Sequence, residues 1–246
     1  MKRLLASTSL CLAVFSAPVA AFDITAMSDA ERAAFQEELR AYLMANPQVI
    51  LDSVNQMEAQ QAEQQAQDDL SLVATNAEAL FEDGFSWIGG NPEGDLTVVE
   101  FLDYRCGYCR KAHEEVAQLL EADGNIRLII KEFPILGEAS AISSRFAIAA
   151  KQIGGNEAYK AVHDAMMSFG GEPSAAALGR LAEGLGLNAK AIVARMDSQE
   201  VEKEISETRA LAQRLQIRGT FVMGGQLVRG YVPLDAMQQI VKEERN

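Results

Sequence analysis

The chain has 246 residues, close to half of them hydrophobic, which suffices for one good core plus a smaller appendage and excludes disorder as the default. Its formal net charge of −13 argues against nucleic acid as a partner. Three cysteines and two histidines leave little material for a zinc site of the usual four-ligand kind.

The first residues read as a secretory signal over 1–21. Lys2 and Arg3 precede an apolar run from Leu4 to Phe15, and Ala17-Pro18-Val19-Ala20-Ala21 supplies small residues for cleavage after Ala21. The run is too short to span a bilayer as a stable helix. Cys11 follows Leu10 with no small residue there, which argues against a lipoprotein site. Cleavage would start the mature chain at Phe22, take the formal charge from −13 to −15, and leave Cys106 and Cys109 as its cysteines. One closely spaced pair exported to an oxidising compartment, here the periplasm, suits redox work better than structural stapling, which uses distant pairs.

Residues 22–85 are expected to form an N-terminal helical segment. Ser28 caps a helix running to about Ala45, Glu31 completes a capping box, and Phe35, Leu39, Tyr42 and Leu43 form a stripe. Asn46-Pro47 interrupts and restarts it, with Asn46 as cap and Pro47 at the first helical position. The next helix carries Ile50, Leu51, Val54 and Met57, then a glutamine- and alanine-rich run with almost no apolar face over 58–67. One reading is a solvated linker helix. The other is a stalk whose apolar first part meets copies of itself, because residues 28–57 have no domain of their own to bury that stripe in.

A glycine-rich break over 84–95 contains a short strand at Phe85–Ile88 and the turn Asn91-Pro92-Glu93-Gly94-Asp95. Leu96–Leu102 is a strand, and Ile126–Phe133 is a second, ended by Pro134. The helix between them has short joints, which implies a parallel pair with a right-handed crossover. Residues 139–215 read as successive helices broken at Gly154-Gly155, at 170–173, at 184–188 and near Asp197-Ser198. His163 and the neighbouring Met166-Met167 lie on one helical stripe, so His163 is expected as a half-buried helix histidine and the methionines as core. Thr220–Met223, a Gly224-Gly225 turn and Gln226–Arg229 form a hairpin, and a last helix runs from near Pro233 to about Lys242.

The helix after Leu96–Leu102 carries the chemistry. Cys106 and Cys109 are spaced i, i+3 at its start, and Ala112, Val116, Leu119 and Leu120 follow at helical spacing. Unpaired amides and the helix dipole favour a thiolate at Cys106, with Arg105, Arg110 and Lys111 adding positive charge close by. One turn brings the sulfurs close enough to bond, so a mixed disulfide at Cys106 can be resolved by Cys109. A zinc site would need further cysteines or a histidine pair. A dithiol holding Cu(I) remains a rival, since thiolates select that ion.

A strand, a Cys-x-x-Cys helix, a strand, a helical block, a hairpin and a last helix together resemble the thioredoxin fold with a helical insertion, the α/β arrangement of the DsbA family of exported thiol–disulfide oxidoreductases. The stretches Gly89-Gly90-Asn91-Pro92, Glu100-Phe101-Leu102-Asp103-Tyr104, Cys106-Gly107-Tyr108-Cys109, Lys131-Glu132-Phe133-Pro134-Ile135-Leu136-Gly137 and Ile217-Arg218-Gly219-Thr220 resemble the branch that includes ScsC-type disulfide isomerases. The resemblance covers residues 86–246, with the insertion at about 138–200, and the helical N-terminus also looks like this branch. It implies an attacking Cys106 and a shielded Cys109 forming a redox-active disulfide. It also implies an acidic Glu100 beneath the site that takes the Cys109 proton. His113, one turn beyond Cys109, is either a group that tunes the thiols or a solvent-facing residue. The implied partners are client proteins with cysteines, a membrane redox partner that resets the dithiol, and further copies of the chain joined through the N-terminal helices; no metal or other cofactor is expected.

One departure stands out. The family carries a cis-proline before the hairpin strand, and here the chain reads Arg218-Gly219-Thr220-Phe221-Val222-Met223, two residues shorter. Strand parity survives a two-residue loss, so Phe221 and Met223 are expected on one face and Val222 on the other. Thr220 is the candidate for the vacated position, and clients are expected to bind at Thr220, Gly219 and Tyr108. The expected direction is isomerase- or reductase-like. The alternatives are a DsbA-like oxidase, or a Cu(I)-binding or chaperone module that lost turnover with the proline.

Overall fold

The computed structural model describes residues 24–246, so the expected signal at 1–21 lies outside the described residues. The chain divides after Ala59 into two compact units.

In the first unit, helix α1 (Asp29–Ala45) starts on the expected capping box: the Ser28 side chain accepts from the Glu31 amide, and Glu31 Oε2 accepts from the Ser28 amide at 2.9 Å. Helix α2 (Gln48–Thr75) begins one residue beyond Pro47 and runs on into the second unit. No residue of α1 is buried. Phe35, Leu39, Tyr42, Ile50, Leu51 and Met57 are all exposed.

The second unit is built on a five-stranded sheet of strands β1 (Trp87–Gly90), β2 (Leu96–Leu102), β3 (Ile126–Glu132), β4 (Thr220–Met223) and β5 (Gln226–Arg229). Their order is β1-β3-β2-β4-β5. The β2–β3 pair is parallel as expected, and every other pairing is antiparallel. The crossover between β2 and β3 is helix α4 (Gly107–Asp123), closed by Gly124 in the left-handed conformation. Helix α3 (Ala77–Phe81) precedes the sheet, and the closing helix α9 (Leu234–Glu244) packs beside α4. Between β3 and β4 lie α5 (Glu138–Met167), α6 (Ala175–Gly184), α7 (Ala189–Arg195) and α8 (Gln199–Arg214). Helix α5 breaks at Gly155, where φ is 75°.

Alternation along the strands divides the core in two. Val98, Leu102, Ile130, Phe221 and Met223 pack with α4, α5 and α9 on one face. Val99, Phe101, Ile129 and Val222 pack with Leu80, Leu211 and Leu215 on the other. The expected parity of Phe221, Val222 and Met223 is therefore the one observed. No helix among the described residues is long and apolar enough to cross a membrane.

Candidate active site

Cys106 is the N-cap of α4, with extended backbone (φ −77°, ψ 118°), and Cys109 lies in the first turn. Both are free thiols and both are partly buried. They share a cavity of about 150 Å³ with Glu100, Tyr108, Gly219 and Tyr231. A larger recess of about 610 Å³ lies among Asn76, Asp83, Lys131 and Arg214 and contains neither sulfur.

The loop that holds Cys106 is tied down by the buried Asp103. Its Oδ1 accepts from the Arg105 amide at 2.8 Å, and its Oδ2 accepts from the amides of Ile135 and Leu136 at 2.8 and 3.1 Å. Arg110 donates from Nε to the Tyr104 carbonyl and from Nη2 to the Phe169 carbonyl, both at 2.7 Å. Arg105 donates to the Gly171 carbonyl at 3.2 Å. The arginines expected to add charge near Cys106 thus also fasten the helix start to the chain beyond α5. Lys111 lies over the Tyr231 ring, 4.3 Å from its centroid, and Tyr231 lies 5.7 Å from the exposed Tyr108 ring.

Glu100 is 3% exposed, and its Oε1 has no hydrogen-bond partner. Burial, and then the nearby Glu132 carboxylate, push it up to about 8. The register Glu100↔Ile130 and Leu102↔Glu132 puts the two carboxylates diagonally on the same face of β2 and β3. Glu132 Oε1 accepts from Tyr104 Oη at 2.8 Å and from Tyr159 Oη at 2.6 Å. Burial pushes Glu132 up to about 7, while these two hydroxyls hold it down. Burial, more than the charges of Glu100 and Cys106, pushes the Cys109 thiol far above its ordinary range, and the Asp103 backbone opposes the shift.

Several expected site residues therefore meet: Cys106, Cys109, Glu100, Tyr108 and Gly219 line one cavity. Gly219 takes φ +115°, which a side chain would strain, and Thr220 heads β4 opposite Phe101 and Arg229. His113 does not face solvent freely. It is half-buried, with its ring centroid 4.9 Å from that of His163. His163, expected half-buried, is 3% exposed, because Trp87 of β1, Tyr104 of the loop before α4 and Tyr159, one turn earlier on α5, enclose it. Burial, then His113 and Lys160, push it down to about 3.

Sequence reasoning assigned no role to Asp103, Tyr104 or Glu132. Glu132 lies on a strand that also carries Arg127 and Lys131, so it lacks the contrast that singles out Glu100.

A thioredoxin-type sheet with two free thiols at the head of its crossover helix, above a buried carboxylate, defines a thiol–disulfide oxidoreductase. The chain belongs to the DsbA-like thioredoxin-domain family, whose profile matches residues 97–242, more than half of its length. Residues 31–64 match a second profile, the copper resistance protein ScsC N-terminal domain. The chain is 41% identical to a thioredoxin-like oxidoreductase from Silicibacter pomeroyi DSS-3, with a TM-score of 0.63 over 68% of this chain and 96% of that one. It is 25% identical to the thiol-disulfide exchange protein alpha-DsbA2 from Wolbachia pipientis, with a TM-score of 0.67 over 72% of this chain and 96% of that one. A Proteus mirabilis ScsC structure in a transitional conformation shares the fold at 22% identity, with a TM-score of 0.64 over 89% of this chain and 97% of that one. Among curated proteins, the Na(+)/H(+) antiporter NhaA 1 of Salinispora arenicola (strain CNS-205) is 28% identical over 156 residues, which is 63% of this chain and 24% of that protein. The chain thus spans about a quarter of the length of the curated relatives it matches.

Proposed function

We propose that the chain is an exported, periplasmic enzyme that exchanges disulfides with protein cysteines through Cys106-Gly107-Tyr108-Cys109, in the isomerase or reductase direction. In this reading a signal at 1–21 precedes a helical oligomerisation segment at 22–85 and a catalytic domain at 86–246. The observation that carries it is the asymmetry of the two sulfurs. Cys106 caps the start of α4, while Cys109 lies in the first turn and is held as a thiol by burial beside Glu100.

In the reducing direction the Cys106 thiolate attacks one sulfur of a client disulfide. The client bond breaks, its other sulfur leaves as a thiolate, and a Cys106–client disulfide forms. The charge on Cys106, one reason the Cys109 thiol is held so high, is then gone. Glu100 in its ionised form accepts the Cys109 proton, and the new thiolate attacks Cys106 Sγ, which frees the client sulfur and closes the Cys106–Cys109 disulfide. In isomerisation the client's own cysteine releases Cys106 first, and the dithiol is unchanged. A membrane redox partner would reset it after net reduction.

Client recognition is assigned to Tyr108, Gly219 and Thr220. Tyr108 is 68% exposed and offers an apolar platform beside Cys106. Gly219 keeps the cavity wall free of a side chain, and Thr220 follows it at the head of β4.

Activity on scrambled ribonuclease and in insulin reduction tests this reading, and Cys106→Ser is expected to abolish both. An inert wild type that binds one Cu(I) through Cys106 and Cys109 would replace it with the binding module. A strongly oxidising dithiol in a monomer would replace the isomerase direction with an oxidase.

Self-association through the first unit is supported by the unburied stripe on α1 and α2, where Leu39 is 46% and Ile50 51% exposed. Leu39→Glu combined with Ile50→Glu is expected to lower the native mass while leaving thiol exchange on small disulfides unchanged; an unchanged mass would remove the stripe from the interface.

A further inference from the structure

The exchange chemistry leaves one constellation unused, a short distance along α4 from Cys109. His113 on α4 and the adjacent His163 and Asp164 on α5 bring two imidazoles and a carboxylate together. One ligand atom of each lies within 4.8 Å of the others. We propose that His113, His163 and Asp164 bind a single borderline divalent cation, of which Zn²⁺ is the type, with water completing the coordination.

The central ligand is already oriented. The His163 ring packs in a cluster with Trp87, at 6.4 Å, and Tyr159, at 5.8 Å between centroids, and those two rings stack on each other at 5.5 Å. Its Nδ1 lies 3.2 Å from Tyr104 Oη. That hydroxyl has one proton and donates it to Glu132 Oε1 at 2.8 Å, so it accepts from His163 Nδ1–H. The tautomer that follows leaves the lone pair on Nε2. An imidazole whose second nitrogen is held by a hydroxyl and, behind it, a carboxylate is the usual support of a metal-bound histidine.

Asp164 is poised in a complementary way. Its Oδ1 is buried without a hydrogen-bond partner and lies 3.7 Å from His113 Nε2. Its Oδ2 is taken by Lys160 one turn earlier on α5. The lysine therefore turns the free oxygen inward, at the cost of a positive charge nearby. Zinc at about 2.0–2.1 Å from each donor needs the three atoms to close in by about an ångström. His113 and Asp164 are free to supply that movement, since their side chains are 26% and 43% exposed. The same exposure gives the ion a way in from solvent. Two imidazoles and one carboxylate with an open position suit zinc, cobalt and related ions rather than calcium or magnesium.

The site uses neither sulfur, so it is tested in the full chain carrying Cys106→Ser and Cys109→Ser, titrated with Zn²⁺ by calorimetry and with Co²⁺ by absorbance. The expected result is saturation at one equivalent at micromolar concentration, with a visible Co²⁺ spectrum. His113→Ala, at a half-exposed position that the fold does not need, should weaken binding at least tenfold. Tyr104→Phe, which removes the group orienting His163, should weaken it by roughly 10–100-fold. Lys160→Gln should tighten it, which diffuse attraction to an acidic surface and a purely structural histidine pair would not both predict together with the His113 loss. No saturation below millimolar Zn²⁺, or binding that His113→Ala leaves unchanged, would overturn the site.

Discussion

The two faces of the central sheet treat buried charge in opposite ways. On the face toward α8, Lys131 is 1% exposed and its Nζ lies 2.5 Å from Asp83 Oδ2. Asp83 is satisfied further by the Ser86 hydroxyl at 2.6 Å and by the amides of Phe85 and Ser86. On the face toward α4, Glu100 and Glu132 are buried, and each has an oxygen without a partner among the described residues. A paired and fully hydrogen-bonded charge holds a structure together. Two acids pressed side by side in an apolar layer are held there against their own preference to ionise in water. In the exchange proposed above, the ionised form of Glu100, which lines the same cavity as Cys109, is the acceptor of that thiol's proton.

The largest effect expected from breaking this contrast is on the paired face. Asp83→Asn removes the partner of a buried lysine and should cost about 3–5 kcal/mol in urea unfolding, with thiol exchange intact below the transition. A cost under about 1 kcal/mol would mean that Lys131 escapes to solvent and that the pair is not structural. On the other face, Glu100→Gln removes no partner and should leave stability equal or higher. It should slow release of the mixed disulfide about a hundredfold, while alkylation of Cys106 keeps its wild-type rate. Equal turnover in Glu100→Gln would detach the carboxylate from the chemistry and leave Cys109 to lose its proton directly to water.

Of this contrast only Glu100 is legible in the sequence, together with the elements that carry it, and the rest is hidden for a physical reason. Strand β2 is legible residue for residue, because an apolar-rich run of seven positions is bounded by an Asp95 turn and Asp103. The β4–β5 hairpin was legible from Gly224-Gly225, and the helix start from the cysteine spacing itself. Glu100 stood out because one acid interrupts an apolar strand. Glu132 does not, because β3 also carries Arg127 and Lys131 and a second acid beside a lysine reads as an ordinary charged strand end. What burial it meets is decided by Tyr104 and Tyr159, which reach it from 28 and 27 residues away. His163 was misjudged for the same reason: helical periodicity reports which stripe a residue occupies, but not how many distant rings close over it. The roles of Arg105 and Arg110 likewise depend on carbonyls at Gly171 and Phe169, which local sequence does not bring to mind.

The smallest effects, and the most diagnostic, are in the pH dependence of stability, because the two faces should tilt it in opposite senses. Glu100 holds its proton in the folded chain up to about 8, and Glu132 up to about 7, whereas in the unfolded chain both release it near the ordinary carboxylate value of 4.5. Between those limits the folded chain carries more protons than the unfolded one, so their contribution is complete below the ordinary value and is lost as pH rises through 7 to 8. Asp83 is held below its ordinary value, against burial, by the Lys131 charge. Its contribution is present above the ordinary value and is lost as pH falls through the depressed one. Thermal midpoints measured across pH should therefore decline less toward the alkaline side in Glu100→Gln than in wild type, and decline less toward the acid side in Asp83→Asn. Glu132→Gln should act through Glu100 as well: without the neighbouring carboxylate, burial alone holds Glu100 up, and the alkaline loss moves to lower pH. If Glu132→Gln instead leaves the Glu100 titration where it was, the two acids do not sense each other across the strands, and the unpaired face is two independent sites rather than one coupled pair.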